Sequence, residues 1–340
     1  FTYALLGDSE GEDQRFVPPM KGHYYDIVHF RSSVPVEEKV YRIFMPKDKP
    51  LQYEVYNGEL TSYIRFHQEK DKDITLQVNP HKKTYGTAKI AHKEEINRSG
   101  KTEYCWYKKD MMPFSGEPNM VNASNVAPKL LMSTSPDWYA KAVWFHGVNE
   151  DFGSFEVTQS VKEKTDELLK GVDNEMEKIK ILTHWVAENI RYSGLSMGEG
   201  EGYTLHTGKM TFSDRCGVCK DKAGMLVTML RAAGFESYPA MTMAGSRIDR
   251  IPADQFNHSV TLAKLSEGDW ILLDPTWVPG VRELWSSAEQ QQQLLMGIPG
   301  GADLMTTPVS PAENHYLNID ADTELQKDGT LEGKIPIEAE

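Results

Sequence analysis

Cysteines, long apolar runs and basic clusters are all scarce in this sequence, and each scarcity excludes a class of protein. The three cysteines, Cys105, Cys216 and Cys219, are too few for the disulfide framework of a small secreted scaffold. No apolar run reaches the ~18 residues that a bilayer requires, so we expect no membrane span. The net charge of −13 and the lack of a Lys/Arg block argue against a nucleic-acid partner. What remains is a globular chain long enough for about two or three domains.

The most informative stretch runs from Arg215 to Gly234. Four of its apolar residues have the spacing of one helical face: Ala223, Leu226, Val227 and Leu230. Gly234 follows the last of these residues, where a glycine in the left-handed conformation commonly ends a helix. A helix that ends there and includes this face is expected to begin close to Cys219.

A cysteine at a helix start is a candidate nucleophile. It faces unpaired backbone N–H groups and the positive end of the helix dipole, and both favour the thiolate. An unperturbed thiol with a pKa near 8.5 is only about 3 % ionised at neutral pH. Nearby basic residues are expected to add positive charge: Arg215, Lys220 and Lys222. The alternative is that Cys219 is a small buried structural residue.

A predicted hairpin brings a histidine and an aspartate to one face. Its loop is Ser266-Glu267-Gly268, and three-residue loops with glycine at the left-handed position are favoured. This loop pairs Val260 with Asp274, so His258 lies one diagonal step from Asp274. Such neighbours are about 7–8 Å apart, within reach of an imidazole and a carboxylate. We therefore expect a contact between His258 and Asp274.

The three residue types suit acyl transfer on amide or peptide bonds. A Cys219 thiolate attacks the carbonyl and forms a thioester, while His258 returns a proton to the leaving amine. Asp274 fixes the tautomer of the imidazole and stabilises its charged form. The Cys219 N–H is one oxyanion donor, and Tyr192 and Tyr203 are candidates for another. The expected substrate is a peptide or protein amide, and this chemistry requires neither a cofactor nor a metal.

The N-terminal part of the chain predicts short strands. Between residues 1 and about 150, aromatic and β-branched runs alternate with turn residues, which is typical of a β-sandwich. These runs are His23–Phe30, Val40–Met45, Gln52–Tyr56, Ser62–His67, Ile74–Val78 and Thr102–Tyr107. The stretch from Pro113 to Ser135 is rich in Pro, Asn and Ser, and it predicts a connector.

Three stretches together resemble the motifs of the transglutaminase-like superfamily. They are Arg215–Ala223, Asn257–Val260 and Trp270–Thr276. The resemblance covers about residues 160 to 310 and implies a papain-like α+β core with a triad of Cys219, His258 and Asp274. It leaves the reaction open, because the superfamily includes crosslinking enzymes, peptidases, amide hydrolases and inactive relatives.

The flanking regions are similar to domains that accompany such cores in Bacteroidetes-type proteins. Met132–Trp138 belongs to a region similar to the DUF3857 type of β-domain, and the C-terminal tail resembles a following β-domain. The resemblance implies export to the periplasm or cell surface, and a chain that opens at Phe1 suits a processed protein. We predict an α+β protein in three parts: a β-sandwich over 1–155, the catalytic core over 156–310, and the start of a C-terminal β-domain over 311–340.

Other readings of the same residues remain open. Cys216 and Cys219 form a Cys-x-x-Cys pair, which also occurs in redox proteins and permits a disulfide that would silence the thiol. The pair could bind zinc with His206 and His258, although this spacing fits no common pattern. The core can also be an inactive relic in a binding or assembly protein. Among active enzymes we favour hydrolysis, because a crosslinking enzyme must bind a second amine and exclude water.

Overall fold

The chain divides into two compact units. The computed structural model describes residues 20, 22–68, 74–78, 92–96, 99–193, 203–277, 283–314 and 316–339. The first unit is Phe1–Asp137 with Asp249–Asp254, and the second is Trp138–Ile248 with Gln255–Glu340. Within the described ranges, no helix has the length and apolar character needed to cross a membrane.

The first unit is built from β-strands. In chain order its strands are β1 (Tyr25–His29), β2 (Val36–Pro46), β3 (Gln52–Tyr56), β4 (Thr61–Phe66), β5 (Ile74–Val78), β6 (His92–Ile96), β7 (Lys101–Met111) and β8 (Lys129–Ser133). They form antiparallel sheets in the orders β1-β8-β3 and β2-β7-β4, with β5 and β6 paired separately. Val28 of β1, Trp106 of β7 and Leu130 of β8 share one core cluster, so the two three-stranded sheets pack around a common interior.

Strand β8 corrects the prediction of a connector up to Ser135. All five of its residues are buried, and it lies between β1 and β3 at the centre of its sheet. The Lys129 ammonium group is paired with the carboxylate of Asp249, and Ser133 donates a hydrogen bond to the Pro252 carbonyl at 3.0 Å. The segment 249–254 thus belongs to the first unit because it completes the polar contacts of β8.

The second unit combines helices with a five-stranded sheet. Its helices are α1 (Trp138–Phe152), α2 (Gln159–Leu168), α3 (Glu175–Asn189), α4 (Gly208–Asp214) and α5 (Cys219–Ala232). Its strands are β9 (Arg191–Tyr192), β10 (Cys216–Gly217), β11 (Ser237–Thr242), β12 (His258–Lys264), β13 (Trp270–Leu273), β14 (Gln293–Met296), β15 (Met305–Thr306), β16 (Leu317–Ile319), β17 (Asp322–Leu325), β18 (Leu331–Lys334) and β19 (Ile337–Ala339). Together with the strand-rich first unit, this confirms the predicted α+β class.

Helix α5 is the central element of the second unit. It packs against β11 and β12 of the antiparallel sheet β13-β12-β11-β14-β15 and against α2, α3 and α4. Every residue from Asp221 to Leu230 is buried, so the helix is enclosed on all sides and the predicted apolar stripe is only part of its buried surface. A hydrogen bond from Thr261 to the Ala223 carbonyl, 3.1 Å long, fixes α5 on β12.

The expected domain limits and the observed units differ at two places. The first expected domain, 1–155, includes α1, which clusters with the second unit. Residues 311–340 form the pairs β16 with β19 and β17 with β18, whose residues are exposed, and they too group with the second unit.

Gly234 ends α5 as the sequence predicts. Its φ is +92°, in the left-handed region, and its N–H donates to the Arg231 carbonyl at 3.0 Å. The next N–H, of Phe235, reaches the Leu230 carbonyl at 2.9 Å, which completes a Schellman motif.

The same substitution at two glycines is expected to have opposite effects. Gly234→Ala forces a side chain into the left-handed region and should lower the free energy of unfolding by about 1–2 kcal/mol. Gly147→Ala lies inside α1 with open space around the new Cβ, and it should raise that free energy by about 0.5–1 kcal/mol. Urea denaturation followed by circular dichroism measures both. Equal shifts in the two variants would contradict the assigned helix end.

Candidate active site

The start of α5 holds Cys219 in a fixed position. Asp221 turns back towards this end, and its Oδ2 accepts a hydrogen bond from the Val218 N–H at 2.9 Å. Its Oδ1 accepts a hydrogen bond from the His206 N–H at 3.2 Å. A Cβ atom at Gly217 would lie only 2.5 Å from the Cβ of Asp221, so this close approach requires glycine. Gly217 and Val218 therefore serve the packing of the helix start.

A short parallel pairing brings Tyr192 to the sulfur. Strand β10 pairs with β9, with Gly217 opposite Tyr192. The Tyr192 hydroxyl contacts both the side chain and the backbone of Cys219, and its pKa is raised by burial and by the thiolate charge. Tyr203 instead packs its ring against Trp144, with the centroids 5.4 Å apart. Tyr192 is therefore a candidate oxyanion donor that the structure brings to Cys219.

The hairpin of β12 and β13 has the predicted register. Thr261 lies opposite Leu273, and the Leu265 N–H donates to the Asp269 carbonyl at 2.8 Å. Gly268 has a φ of +102°, as the three-residue loop requires. This confirms the register, and it places His258 Nε2 3.0 Å from Asp274 Oδ2.

The environment of Cys219 favours the thiolate. Burial raises the pKa of the thiol, but the hydrogen bond and positive charge of His258 and the backbone N–H groups of Ser259 and Lys220 outweigh it, so the pKa is lowered. Because His258 Nε2 is held by carboxylates, Nδ1 is the ring nitrogen available to the sulfur. Both shifts favour a thiolate on Cys219 beside a protonated His258.

The imidazolium is held by its carboxylate neighbours. Burial lowers the pKa of His258, but the hydrogen bonds with Asp274 and Cys219 and the nearby carboxyl group of Glu289 raise it to about 12. Burial also opposes ionisation of Asp274, yet its bond to His258 keeps the pKa of that carboxyl below its usual value. The Thr276 N–H donates to Asp274 Oδ1 at 2.8 Å and orients the group.

The sequence reasoning missed Glu289. It ends the 3₁₀ helix Ser287–Glu289, its side chain has 0 % exposure, and Oε1 lies 3.2 Å from His258 Nε2. The pair Ser286 and Glu289 has the spacing of a capping box, which predicts a helix start but not a site.

The three basic residues near Cys219 make other contacts. Arg215 lies over Phe212, with its Cζ 4.2 Å from the ring centre. The Lys220 ammonium donates to the Thr204 carbonyl at 2.8 Å. Lys222 reaches backbone carbonyls at the end of α3. The groups that lower the thiol pKa are His258 and the backbone N–H groups of Ser259 and Lys220.

The state of the cysteines and the groups that could bind a metal concern the redox and zinc hypotheses for Cys216 and Cys219. All three cysteines are free thiols. Within the described part of the chain, one group has the geometry to hold a metal ion: His258, Asp274 and Glu289, whose ligand atoms lie within 4.8 Å of one another. This group does not include Cys216 or His206, which the zinc reading would use.

Two family models match separate parts of the chain. Residues 162–275 match the model of the transglutaminase-like superfamily. This segment is a transglutaminase-like core. Residues 1–85 match the model of DUF3857, a domain of unknown function with a solved structure. The transglutaminase-like core contains Cys219, His258 and Asp274, whereas Glu289 lies beyond its C-terminal end.

One solved structure supports the fold of the chain, and two others have low similarity scores. The crystal structure of a proposed protease from Parabacteroides distasonis has a TM-score of 0.59 and 18% identity, covering 85% of this chain and 48% of that chain. The present chain thus spans about half the length of that relative. A proposed cysteine protease from Cytophaga hutchinsonii gives 0.31 and 11%, covering 75% of this chain and 79% of that chain. The periplasmic domain of TgpA from Pseudomonas aeruginosa gives 0.29 and 13%, with coverages of 74% and 72%. No curated protein matches the chain.

The lowered thiol pKa is expected to show in alkylation at mildly acidic pH. Iodoacetamide should modify Cys219 at pH 6, where an unperturbed thiol is only about 0.3 % ionised. His258→Ala should slow this modification about ten-fold or more, because the thiol loses its positive neighbour. Peptide mass spectrometry gives the rate at Cys219 alone. Cys216→Ser is the control and should leave the rate unchanged, whereas equal rates with and without His258 would disprove the ion pair.

Proposed function

We propose that this protein catalyses thiol-dependent acyl transfer on amide or peptide bonds, with hydrolysis as the main outcome. The observation that carries the proposal is the position of His258, in hydrogen-bonding contact with the Cys219 thiol and 3.0 Å from an Asp274 carboxylate oxygen. A nucleophile, a base and an orienting group in this order are the requirements of covalent acyl transfer.

Acylation begins from the thiolate and imidazolium pair. The Cys219 sulfur attacks the substrate carbonyl carbon, and the electron pair of the C=O bond moves onto oxygen. When the tetrahedral intermediate collapses, the C–N bond breaks and the proton on His258 passes to the leaving amine. The products are a thioester on Cys219, a free amine and a neutral imidazole that still donates Nε2–H to Asp274.

Two donors are available for the developing oxyanion. The Cys219 N–H lies in the first turn of α5, where backbone N–H groups have no partner within the helix. The Tyr192 hydroxyl, which contacts this N–H and the sulfur, can donate to the same oxygen. Donors fixed before the reaction stabilise the charge without reorganising, which is usually the largest catalytic contribution.

Deacylation completes the cycle with water. The neutral His258 takes a proton from water as the oxygen attacks the thioester, and the thiolate leaves as the acid is released. We favour water over an amine because water needs no acceptor site. A peptide amide is the proposed substrate, in keeping with the protease proposed for the Parabacteroides distasonis relative. Export to the periplasm or cell surface, expected from the sequence resemblance, is part of the same proposal.

A product analysis tests this function. A peptide library is incubated with the protein in ¹⁸O-labelled water, with and without a primary amine, and the products are identified by mass spectrometry. We expect cleaved peptides with ¹⁸O in the new carboxyl group, none with Cys219→Ala, and a loss of about 10²–10⁴-fold in kcat/KM with His258→Ala. Cys216→Ser is the matched control and should retain activity.

The outcomes separate the alternatives. Isopeptide products that dominate in the presence of amine would make the protein a crosslinking enzyme. Loss of activity in Cys216→Ser would favour a dithiol mechanism, which needs both sulfurs. Turnover by Cys219→Ala equal to that of the parent protein would disprove the proposal.

A further inference from the structure

Glu289 is a fully buried carboxyl group that the proposed mechanism does not use. Its Oε2 accepts a hydrogen bond from the Ser286 N–H at 3.1 Å. The surrounding backbone is also fixed, because the Gly245 N–H donates to the Ala288 carbonyl at 3.0 Å and the Thr307 hydroxyl donates to the Glu289 carbonyl. The side chain is therefore held in one position beside His258.

The remaining oxygen of Glu289 has no hydrogen bond as a carboxylate. Oε1 lies 3.2 Å from His258 Nε2, but it has no partner of acceptable hydrogen-bond geometry, although it has no exposed surface. Its side chain lies beside Asp274, with a carboxyl oxygen of each within 4.8 Å of the other, and the Asp274 oxygens accept hydrogen bonds from His258 and the Thr276 N–H. Two ionised carboxylates cannot hydrogen-bond to each other, since each only accepts.

A proton on Oε1 resolves this arrangement. The protonated group donates to Asp274, and each of the four carboxyl oxygens then takes part in a hydrogen bond. Glu289 is the natural holder of the proton, because two other donors already stabilise Asp274 as the anion. Burial and the neighbouring Asp274 outweigh the opposing effect of His258 and raise the pKa of Glu289 to about 8.

We propose that Glu289 is a positioning residue: as a protonated carboxyl group it donates a hydrogen bond to Asp274 and thereby holds Asp274 against His258. The inference rests on the proposed function, because it gives the His258–Asp274 pair a catalytic purpose. Glu289 acts through Asp274 and contacts neither the thiol nor the substrate. Four side chains therefore lie next to one another in the order Cys219, His258, Asp274 and Glu289.

Ionisation of Glu289 would change the charge around His258. The charged groups facing Glu289 are His258 at the start of β12 and Asp274 after β13. Lys222 of α5 adds a positive charge near Asp274, and the Cys219 thiolate lies on the other side of the imidazole. A second anion beside the ring would hold the proton on His258 more tightly, and transfer to the leaving amine would become harder.

The test compares pH profiles of Cys219 alkylation in the full chain. In the parent protein we expect a change of slope near pH 8, where Glu289 ionises one ring away from the sulfur and Lys222 loses its charge in the same range. Glu289→Gln keeps a donor for Asp274 but cannot ionise, so it should reduce this step to the part that Lys222 contributes and keep the rate at pH 7 within about three-fold. Glu289→Leu loses the donor and should lower that rate about 10–100-fold, as when a partner that orients a histidine is lost.

Glu283→Gln is the matched control. Glu283 lies on the same segment, and its Oε1 accepts hydrogen bonds from the Ser310 hydroxyl and from Asn314. If removing this carboxylate only weakens the structure, the melting temperature falls while the step near pH 8 stays. We expect Glu283→Gln to keep the step, and its loss in this variant would count against the assignment to Glu289.

The experiment separates failure of this inference from failure of the proposed function. Slow alkylation of Cys219 at pH 6 that does not depend on His258 would refute the function itself. Normal His258 dependence with a step near pH 8 as large in Glu289→Gln as in the parent protein would overturn only the positioning role. If Glu289→Gln does not fold, infrared spectra of the parent protein with ¹³C-labelled glutamate decide. A protonated carboxyl band at pH 7 that disappears above about pH 8 supports the proposal, and its absence at pH 7 overturns it.

Discussion

The hydrogen bond between His258 Nε2 and Asp274 Oδ2 is the interaction on which the candidate site depends. It spans 3.0 Å, and the aspartate side chain has no exposed surface, so water does not compete for the carboxylate. The bond directs the other ring nitrogen to Cys219. The register of the β12–β13 hairpin brings Asp274 to His258, and the hydrogen bond from Thr261 to Ala223 holds α5, which carries Cys219, on β12.

Buried charges near the site are each matched by a partner. Lys222 is 2 % exposed, and burial lowers its pKa to about 8. Its ammonium donates to the carbonyls of Ala187 and Ile190, 3.0 and 2.7 Å away, at the end of α3, where carbonyls have no partner within the helix. Asp221, in the first turn of α5, accepts hydrogen bonds from the N–H groups of His206 and Val218. The first turn of α5 is thus tied to α3 and to the segment around His206, which limits the movement of the nucleophile.

The parts of the fold that sequence could predict are those with strong local signals. The loop glycine Gly268 determines the hairpin register, and Gly234 determines the end of α5, because each needs a left-handed backbone. Strand β8 could not be predicted in this way, since a strand buried on both faces has no alternation of apolar and polar residues. Glu289 was missed for another reason. Its role depends on a contact with residues that are distant in the chain, and a capping-box pattern contains no information about that contact. The catalytic roles of the three predicted residues remain proposals for experiment.

The segment 249–254 has a consequence for any attempt to divide the protein. It lies within the sequence of the second unit, yet Asp249 supplies the counter-ion for Lys129 in the first. A fragment that stops at Asp137 would keep a lysine with a side chain only 4% exposed and lose its carboxylate. Removing one partner of a buried ion pair costs about 3–5 kcal/mol, a large share of the stability of a small domain. A fragment of the β-rich unit cut at this single junction is therefore expected to be less stable than the unit that includes residues 249–254.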